Sequence, residues 1–567
     1  MVPRRSLMLL LGGISIGVYG VDTYSSSDFI RRTGHAVAVI GKNLYVDGGE
    51  VAQYRNGKTE SQPTRQMNDT LSIPLDVTWT NKTVPITSIE KAAPVFDTSA
   101  LWTDQTSESM YMWGGQGPWG NLSKTKDLWK FSANENSWRK QPAANVDIFM
   151  SIKRTSNAAV TQCNGMGFFI GGMGSVWTDS SFAAGDLAVP SPGMLTYNIT
   201  SGVWANESLA GLNSYETYIS GSAACLPSFG TSGNGMVLAL GGEISRRSGY
   251  NSSEPNLIGL GNLSFWDIET KTWFFQQTTG DIPSPRSKFC VVDVAGQNGT
   301  HEIFLFGGYD GSNQASFQDI YVLSVPGFVW IKSSVSTDGP RTSQQCIVAG
   351  KRQMIIVGGM NPDLDYYPAL RDPDPWPNGI NVLDISSLSW NSEFDPDAAA
   401  YESPDAVTKW YNAGNLGSVD WTSGTVKSLF IETSSNSNSS SGVGSAVSSS
   451  TGGSSAPIGA IVGGVIGGVA FLILAGLAFW FFRRRTSKQD AQPAVQEIGE
   501  GYHNYPTPPP VYDSHQQEKS PQELFQEPAM LAAVENPSEL DITHGSGQRP
   551  HQGWALQGVH SNLHEMA

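Results

Sequence analysis

Histidine and cysteine are the residues with which this sequence could bind a metal or build a nucleophile, and both are scarce. The chain contains eight histidines and four cysteines among 567 residues. A structural zinc site requires cysteine and histidine pairs at short spacing, and none of the cysteines (Cys163, Cys225, Cys290 and Cys346) is spaced in this way. Four cysteines are also too few for a disulfide scaffold. The sequence therefore predicts no metal site.

Motifs that mark known catalytic chemistry are missing as well. Beyond residue 20 there is no Gly-X-Ser-X-Gly, no Walker-type phosphate loop and no His-Glu-X-X-His. Aspartate and glutamate are numerous but dispersed, so no pair of carboxylates can be assigned to a common cleft. We expect a non-catalytic protein with no catalytic residues and no cofactor.

The composition favours a turn-rich, all-β protein. Glycine (62 residues), tryptophan (17) and the other aromatic residues are plentiful, whereas charged residues make up only 15%. The formal net charge of −16 provides no field that attracts a phosphate backbone, so we expect no nucleic-acid partner.

Both ends of the chain carry targeting features. Residues 1–20 contain Arg4 and Arg5, then an apolar run, then small or apolar residues before a cleavage position, which is typical of a secretory signal peptide. Residues 457–482 form an uncharged apolar stretch that is followed at once by three arginines, Arg483 to Arg485. This length and this positive flank predict one transmembrane helix with its cytoplasmic end at the arginines.

The glycosylation sequons agree with an N-terminal part outside the cell. The nine Asn-X-Ser/Thr sites all precede the apolar stretch: Asn68, Asn81, Asn121, Asn198, Asn206, Asn251, Asn262, Asn298 and Asn438. Residues 433–456 are almost wholly small and polar, and predict a flexible stalk. We therefore expect an extracellular domain at residues 21–432 of a single-pass plasma-membrane glycoprotein.

The predicted extracellular domain contains a repeat. Six apolar runs each end in a Gly-Gly pair, and each pair is followed 23 to 33 residues later by a tryptophan. The pairs are Gly48-Gly49, Gly114-Gly115, Gly171-Gly172, Gly241-Gly242, Gly307-Gly308 and Gly358-Gly359, and the tryptophans are Trp79, Trp138, Trp204, Trp273, Trp330 and Trp390. Such a run predicts a buried strand that closes in a turn. The segment before five of the six tryptophans, all except Trp79, consists of an aromatic residue or leucine and then a small or polar residue, and predicts a hairpin. Repeats of this length with about four strands each favour propeller blades.

This pattern resembles the kelch repeat, from about residue 24 to residue 430. The first repeat, with Arg32-Thr33-Gly34-His35 leading to Gly48-Gly49, is similar to membrane-anchored kelch proteins of filamentous fungi. Arg154, Arg286 and Arg341 stand near the corresponding arginine position in later repeats, whereas the second repeat has Lys91 there and the fourth has no basic residue. The resemblance implies a six-bladed β-propeller, with a seventh degenerate blade as the alternative. Residues 401–430, which lack a Gly-Gly pair, are the expected closing piece of the ring.

The kelch resemblance also bears on the cysteines and histidines. Each cysteine lies shortly before a Gly-Gly pair, so cysteines of neighbouring blades could form disulfides or remain as buried thiols. The copper oxidase of galactose shares kelch repeats and uses two histidines and two tyrosines around copper. Only His35 and His301 lie before the apolar stretch; we expect His35 to be structural and His301 to lie in a solvated loop.

The tail, residues 483–567, is predicted to be disordered and cytoplasmic. Its motif of Pro509, Pro510 and Tyr512 is typical of a ligand for a WW domain, because polyproline II fits the aromatic groove of such domains. The resemblance to fungal proteins implies a WW-containing ubiquitin ligase as its partner.

Together these features favour a propeller that binds an extracellular ligand, either a cell-wall glycan or a protein. Two alternatives remain: an extracellular enzyme with an unrecognised site at the propeller channel, and a surface or polarity scaffold that acts through its tail.

Overall fold

The computed structural model describes residues 24–59, 64–117, 126–183, 185–186, 188–246, 250 and 256–437, with backbone alone for residues 64–66 and 432–437. The predicted signal peptide, most of the predicted stalk, the apolar stretch at 457–482, and the tail with Pro509, Pro510 and Tyr512 lie outside these residues. Among the described residues, no helix is both long and apolar enough to cross a membrane.

The described residues form six sheets of four or five strands, each drawn from one stretch of the chain, and these are the blades of a β-propeller. Their strand pairs are antiparallel except for one short parallel pair in blade 5. Blade 1 contains β1 (Phe29–Ile40), β2 (Asn43–Gln53), β3 (Thr64–Gln66), β4 (Asp69–Pro74) and, beyond the separate short strand β5 (Trp79–Thr80), β6 (Thr87–Glu90). Blade 2 contains β7 (Asp97–Asp104), β8 (Ser109–Gln116), β9 (Leu128–Ser132) and β10 (Ser137–Gln141). Blade 3 contains β11 (Ala159–Cys163), β12 (Met166–Ile170), β15 (Met194–Asn198) and β16 (Trp204–Glu207), with a small hairpin of β13 (Met173–Gly174) and β14 (Val189–Pro190).

The second half of the ring follows the same plan. Blade 4 contains β17 (Ser222–Leu226), β18 (Met236–Leu240), β21 (Asn262–Asp267) and β22 (Thr272–Gln277), with a hairpin of β19 (Glu243–Ile244) and β20 (Asn256–Leu257). Blade 5 contains β23 (Thr279–Gly280), β24 (Cys290–Ala295), β25 (His301–Phe306), β28 (Asp319–Val325) and β29 (Val329–Ser336), with a hairpin of β26 (Tyr309–Asp310) and β27 (Ala315–Ser316). Blade 6 contains β30 (Gln345–Ala349), β31 (Gln353–Val357), β32 (Ile380–Asp384) and β33 (Ser389–Trp390), and β34 (Glu393–Phe394) follows it.

The ring is closed. We call the strand of each blade that lines the channel its first strand, and these strands are β1, β7, β11, β17, β24 and β30. Each first strand contacts the first strand of both neighbouring blades, and β30 contacts β1. The fold is therefore a six-bladed, all-β propeller, and the described residues contain no seventh blade. The cores lie between adjacent blades, as between blades 2 and 3, where Trp102, Trp113, Tyr197 and Trp204 pack together.

The repeated tryptophans join each blade to the one before it. In blades 2 to 6 the tryptophan pairs directly with the aromatic residue or leucine seven positions earlier, as Phe131 with Trp138 and Leu323 with Trp330. Four indole N–H groups then donate to the preceding blade: Trp138 to Thr70, Trp273 to Ser208, Trp330 to Leu260 and Trp390 to Ser336. Each repeat therefore contributes to a blade and to the interface with its neighbour.

Trp79 differs from the other repeated tryptophans. It lies on β5, outside the sheet of blade 1, and β5 pairs with β34 at the end of blade 6. Its indole stacks on Phe394 at a centroid separation of 5.1 Å. This two-stranded contact joins the two ends of the propeller.

The expectation that residues 401–430 close the ring is wrong, because β34 has already made that junction. Those residues are largely helical. The described helices are α1 (Val146–Ser151), α2 (Tyr366–Arg371), α3 (Asp405–Asn412) and α4 (Gly424–Ser437). Phe430 of α4 is fully buried against Phe229 and Phe328, in turns of blades 4 and 5, so this segment covers a groove between two blades.

Candidate functional site: a cavity at the mouth of the propeller channel

The Gly-Gly pairs set the spacing of the blades around the channel. All twelve glycines have positive φ. The N–H of the second glycine donates to a backbone carbonyl of the next blade at every boundary: Gly49 to Phe96, Gly115 to Thr155, Gly172 to Tyr218, Gly242 to Arg286, Gly308 to Arg341 and Gly359 to Arg32. We call the side of the propeller that carries these pairs the Gly-Gly face.

Two residues beyond each accepting carbonyl, one residue per blade has a left-handed backbone. These six residues, the channel ring, are Gly34, Thr98, Asn157, Ser220, Lys288 and Ser343, with φ between 51° and 68°. Backbone hydrogen bonds link four successive members: Ser220 N–H donates to Asn157 O, Lys288 N–H to Ser220 O, and Ser343 N–H to Lys288 O, at 2.8 to 2.9 Å. The channel ring is the common boundary of two cavities.

The upper cavity opens on the Gly-Gly face and has a volume of about 220 Å³. It is lined by the channel ring and by residues that directly follow five of the Gly-Gly pairs: Glu50, Gln116, Met173, Tyr309 and Met360. Tyr250 and Tyr366 complete its wall. Because every blade contributes, this cavity has the position and mixed polar–aromatic lining expected of a ligand site.

The lower cavity, about 250 Å³, lies beyond the channel ring and is lined by the first strands of the blades. Side chains such as Val37, Leu101, Gln162 and Val291 face it. Its charged lining residue is Lys288, which is shared with the upper cavity. The upper cavity is therefore the better candidate for recognition.

One wall of the upper cavity is acidic. Asp97, at the start of blade 2, lies beside Glu50 of blade 1, and the Tyr366 hydroxyl donates to Oε2 of Glu50 at 3.2 Å. Burial, together with the negative charge of Glu50, raises the pKa of Asp97 well above its usual range. Asp97 therefore holds its proton more strongly than an ordinary aspartate.

The opposite wall carries a cation. Lys288 of blade 5 lines the cavity near Glu243, which accepts a hydrogen bond from the Tyr250 hydroxyl at 2.6 Å. Burial lowers the pKa of Lys288, and the attraction of Glu243 opposes this shift.

The repeated arginines are structural. Nη1 of Arg32, Arg286 and Arg341 donates to the carbonyl of the first glycine of the Gly-Gly pair in the same blade. In blade 4, which has no basic residue at the repeated arginine position, the Tyr218 hydroxyl donates to Leu240 O just before the pair, at 2.7 Å. Lys91 is buried in an ion pair with Asp47. Arg154 Nε donates to Thr178 O.

The histidines do not form a metal site in the part of the chain that the structure describes, where no group of three potential ligands occurs. His35 is fully buried, its Nε2 lies 3.1 Å from Val357 O, and burial lowers its pKa to about 3. The expectation that His301 lies in a solvated loop is wrong. His301 begins β25, is 4% exposed and contacts Asp293.

The cysteines form two disulfides, which decides between the alternatives that the sequence left open. Cys163 is bonded to Cys225, and Cys290 to Cys346. The first links blade 3 to blade 4, and the second links blade 5 to blade 6. All four cysteines belong to the first strand of their blade.

The sequons vary in accessibility. Asn206, Asn262 and Asn298 are exposed, Asn68 and Asn198 are partly buried, and Asn81 is only 8% exposed. Asn121, Asn251 and Asn438 lie outside the described residues. N-glycosylation at all nine positions stays a prediction.

The residues of the upper cavity were not identified from the sequence. A usable signal was available, because the residue after each Gly-Gly pair recurs with the repeat. In blades 1, 5 and 6 the residue two positions beyond the repeated arginine recurs as well. Asp97 and Lys288 belong to different repeats, and no local spacing connects them.

Comparison with known proteins agrees with this architecture. Residues 231–403 match the family model described as the KLHDC2/KLHL20/DRC7 Kelch-repeats domain. A Kelch repeat-containing protein of Arthroderma benhamiae is 23% identical over 415 residues, covering 65% of this chain and 58% of that protein. Kelch domain-containing protein 3 of Rattus norvegicus is 23% identical over 339 residues, covering 59% of this chain and 78% of the relative. With six Gly-Gly blades and these matches, the chain is a kelch repeat protein.

Proposed function

We propose that this protein is a single-pass glycoprotein of the plasma membrane whose propeller binds an extracellular ligand, a protein or a cell-wall glycan, through the upper cavity and its rim. The observation that carries the proposal is the cavity itself, because all six blades contribute to its wall on one face. A kelch propeller suggests protein partners in general. The binding is proposed to be non-catalytic.

The C-terminal helix α4 contacts the side of the propeller opposite the upper cavity. The Leu429 carbonyl accepts a hydrogen bond from Gly230 N–H, in the turn between β17 and β18, which lies at the blade ends opposite the Gly-Gly pairs. The upper cavity on the Gly-Gly face is therefore not covered by this helix.

Binding is tested with the full-length protein purified in detergent and a panel of cell-wall polysaccharides and secreted cell-surface proteins. We expect saturable binding to one of them, and a loss of affinity in Tyr309→Ala, because Tyr309 lines the cavity mouth. The matched control is Phe275→Ala, at an aromatic residue that is 51% exposed on the outer strand of blade 4. Equal loss in both variants, or none in Tyr309→Ala, would contradict recognition at the cavity.

The topology has its own test. Digestion with a glycosidase should reduce the apparent mass of the protein, and an antibody tag after residue 482 should be reached only after the cells are permeabilised. A tag that is accessible on intact cells would exclude the proposed orientation.

The tail is proposed to bind a WW-domain protein, such as a ubiquitin ligase, through Pro509, Pro510 and Tyr512. Tyr512→Ala should abolish binding of a WW domain and lengthen residence at the cell surface. Unchanged turnover would remove the motif from the proposal. Ligand binding that survives at the cavity would then separate a receptor from a scaffold that acts through its tail.

A further inference from the structure

The upper cavity has acidic side chains on one wall and a basic side chain on the opposite wall. Asp97 belongs to blade 2 and Lys288 to blade 5, so in the six-bladed ring two blades separate them in either direction. Both side chains line the cavity. A ligand in the upper cavity therefore lies between Asp97 and Lys288.

Asp97 has no internal partner for its charge. Within the described residues, its carboxylate receives no hydrogen bond and no ion pair, and Oδ1 is both out of contact with solvent and without a hydrogen-bond partner. Gly34 packs directly behind it, so that a Cβ at Gly34 would lie 3.3 Å from the Asp97 Cβ. The titratable groups that face Asp97 are Glu50 and Tyr366.

Lys288, on the opposite wall, also lacks an internal partner for its charge. Within the same part of the chain its ammonium makes no hydrogen bond or ion pair, and the charge that acts on it is that of Glu243. Glu243 is itself hydrogen-bonded to Tyr250, and Tyr309 is the other titratable group on this wall. The N–H and carbonyl of Lys288 are bonded within the channel ring, which holds the residue in place.

A charge that is removed from water without a partner is unfavourable, and the group responds by shifting towards its neutral form. The pKa of Asp97 is raised and that of Lys288 is lowered, which is this response at both walls. A ligand that carries an ammonium at one end and a carboxylate at the other would supply both missing partners at once.

We propose that the upper cavity binds a small zwitterionic group, with its ammonium at Asp97 and its carboxylate at Lys288. The cavity volume of about 220 Å³ accommodates a molecule the size of an amino acid. This inference deepens and rests on the proposed function, since it names the chemistry of the ligand that the Gly-Gly face recognises.

The test is calorimetric titration of the full-length protein with a length series of zwitterions: glycine, β-alanine, γ-aminobutyrate and δ-aminovalerate. One length should bind saturably, because the two walls are a fixed distance apart. Butylamine and butyrate, which carry one charge each, should bind at least about tenfold more weakly than the best zwitterion, as expected for the loss of one charge-assisted hydrogen bond.

Two variants connect the binding to the two walls. Asp97→Asn and Lys288→Asn should each weaken the best zwitterion by at least about tenfold. Asparagine suits position 288 because Asn157 occupies the same place in blade 3 with the same φ of 56°. Neither variant should lower the melting temperature, since each replaces an unpartnered charge, and this result shows that lost binding is not lost folding.

Proton exchange provides an independent readout, obtained by repeating the titration in buffers with different ionisation enthalpies. Because the pKa of Asp97 is raised, a bound ammonium, which favours its carboxylate form, should cause a release of protons. Because the pKa of Lys288 is lowered, a bound carboxylate, which favours its ammonium form, should cause an uptake of protons. For a zwitterion the two effects oppose each other, so its net exchange should be smaller than that of either analogue.

The proposal is overturned if no member of the series binds saturably, or if both variants bind the best zwitterion as the unaltered protein does. Macromolecular binding that persists while every zwitterion fails would remove this inference and leave the proposed function standing. If a zwitterion binds but no protein or glycan does, this inference would stand and the proposed binding of a macromolecular ligand would be contradicted.

Discussion

The backbone N–H of Gly359, in the last blade, donates a hydrogen bond of 2.8 Å to the carbonyl oxygen of Arg32, in the first. The same bond joins every other pair of neighbouring blades, so the junction between the two chain ends is built like the other five. The sheet of blade 1 and the sheet of blade 6 each contain strands from their own end of the propeller alone, and only the short strands β5 and β34 pair across this junction. Ring closure depends on the Gly359–Arg32 boundary and on the short pairing of β5 with β34.

Gly358→Ala should therefore open the ring at this boundary. The Gly358 φ is 62°, and a Cβ there would lie 2.5 Å from His35 Cε1 and 2.6 Å from Arg32 O, both in blade 1. We expect a loss of more than the ~1–2 kcal/mol that a left-handed backbone costs an alanine, because the backbone of blade 1 must also move. Denaturant unfolding measures the loss. The control is Gly165→Ala, with φ of 77° and no atom within 4 Å of the added Cβ. Equal losses in the two variants would show that strain, not the contact with Arg32, is responsible.

Phe394→Ala tests the contribution of the β5–β34 pairing to ring closure. Phe394 is fully buried and stacks on Trp79. Removal of a buried phenylalanine costs about 3–5 kcal/mol, so the free energy of unfolding should fall by this amount. Phe275→Ala, at an aromatic residue that is 51% exposed, should cost far less. A comparable loss in both variants would mean that Trp79 and Phe394 do not stabilise the closure.

The extent to which the sequence predicts this architecture depends on whether a feature repeats. Gly-Gly pairs and tryptophans predict six blades because each of these residues acts locally, either in a left-handed turn or in the returning strand of a hairpin. Trp79, which has no such hairpin before it, already departed from the pattern, and the structure uses it for closure instead.

Features that occur only once in the chain could not be predicted from the repeat. The helical segment around Phe430 covers one groove once, so its role has no period that could be recognised. Asp97 and Lys288 meet in one cavity because the ring has a definite number of blades, and not because of any spacing along the chain. The disulfides are intermediate: the cysteines lie at similar positions in four repeats, but only the geometry of neighbouring first strands selects the pairs.

Loss of the Cys163–Cys225 disulfide should destabilise the propeller without changing its fold. The bond encloses a sequence separation of 62 residues. For a loop of this size the chain-entropy model gives about 4 kcal/mol of stabilisation. Cys163→Ser combined with Cys225→Ser should lower the denaturation midpoint, whereas circular dichroism under native conditions should be unchanged. Before reduction, alkylation followed by mass spectrometry should label none of the four cysteines. Labelling of native, unreduced protein would contradict the disulfides.

His35 should make the propeller less stable as the pH falls below neutrality. It is fully buried at the boundary of blades 1 and 6, and burial, with a smaller contribution from Arg32, lowers its pKa to about 3. The unfolded chain has a histidine pKa of about 6.5 and therefore binds a proton first as the pH is lowered. The stabilisation that His35 provides is present above the unfolded pKa and is lost progressively as the pH falls from about 6.5 towards the folded pKa. Between pH 7 and pH 5 this amounts to about 2 kcal/mol.

The matched variant is His35→Gln, because glutamine keeps a side-chain donor within reach of Val357 O but does not titrate. Its free energy of unfolding should change less than that of the unaltered protein between pH 7 and pH 5, by about 2 kcal/mol, whatever its stability at pH 7. The carboxylates titrate alike in both proteins, so their contribution to the pH dependence of the free energy of unfolding cancels in this comparison. Parallel pH profiles would show that His35 accepts a proton in the folded propeller, and that the boundary of blades 1 and 6 is more open to water than its burial indicates.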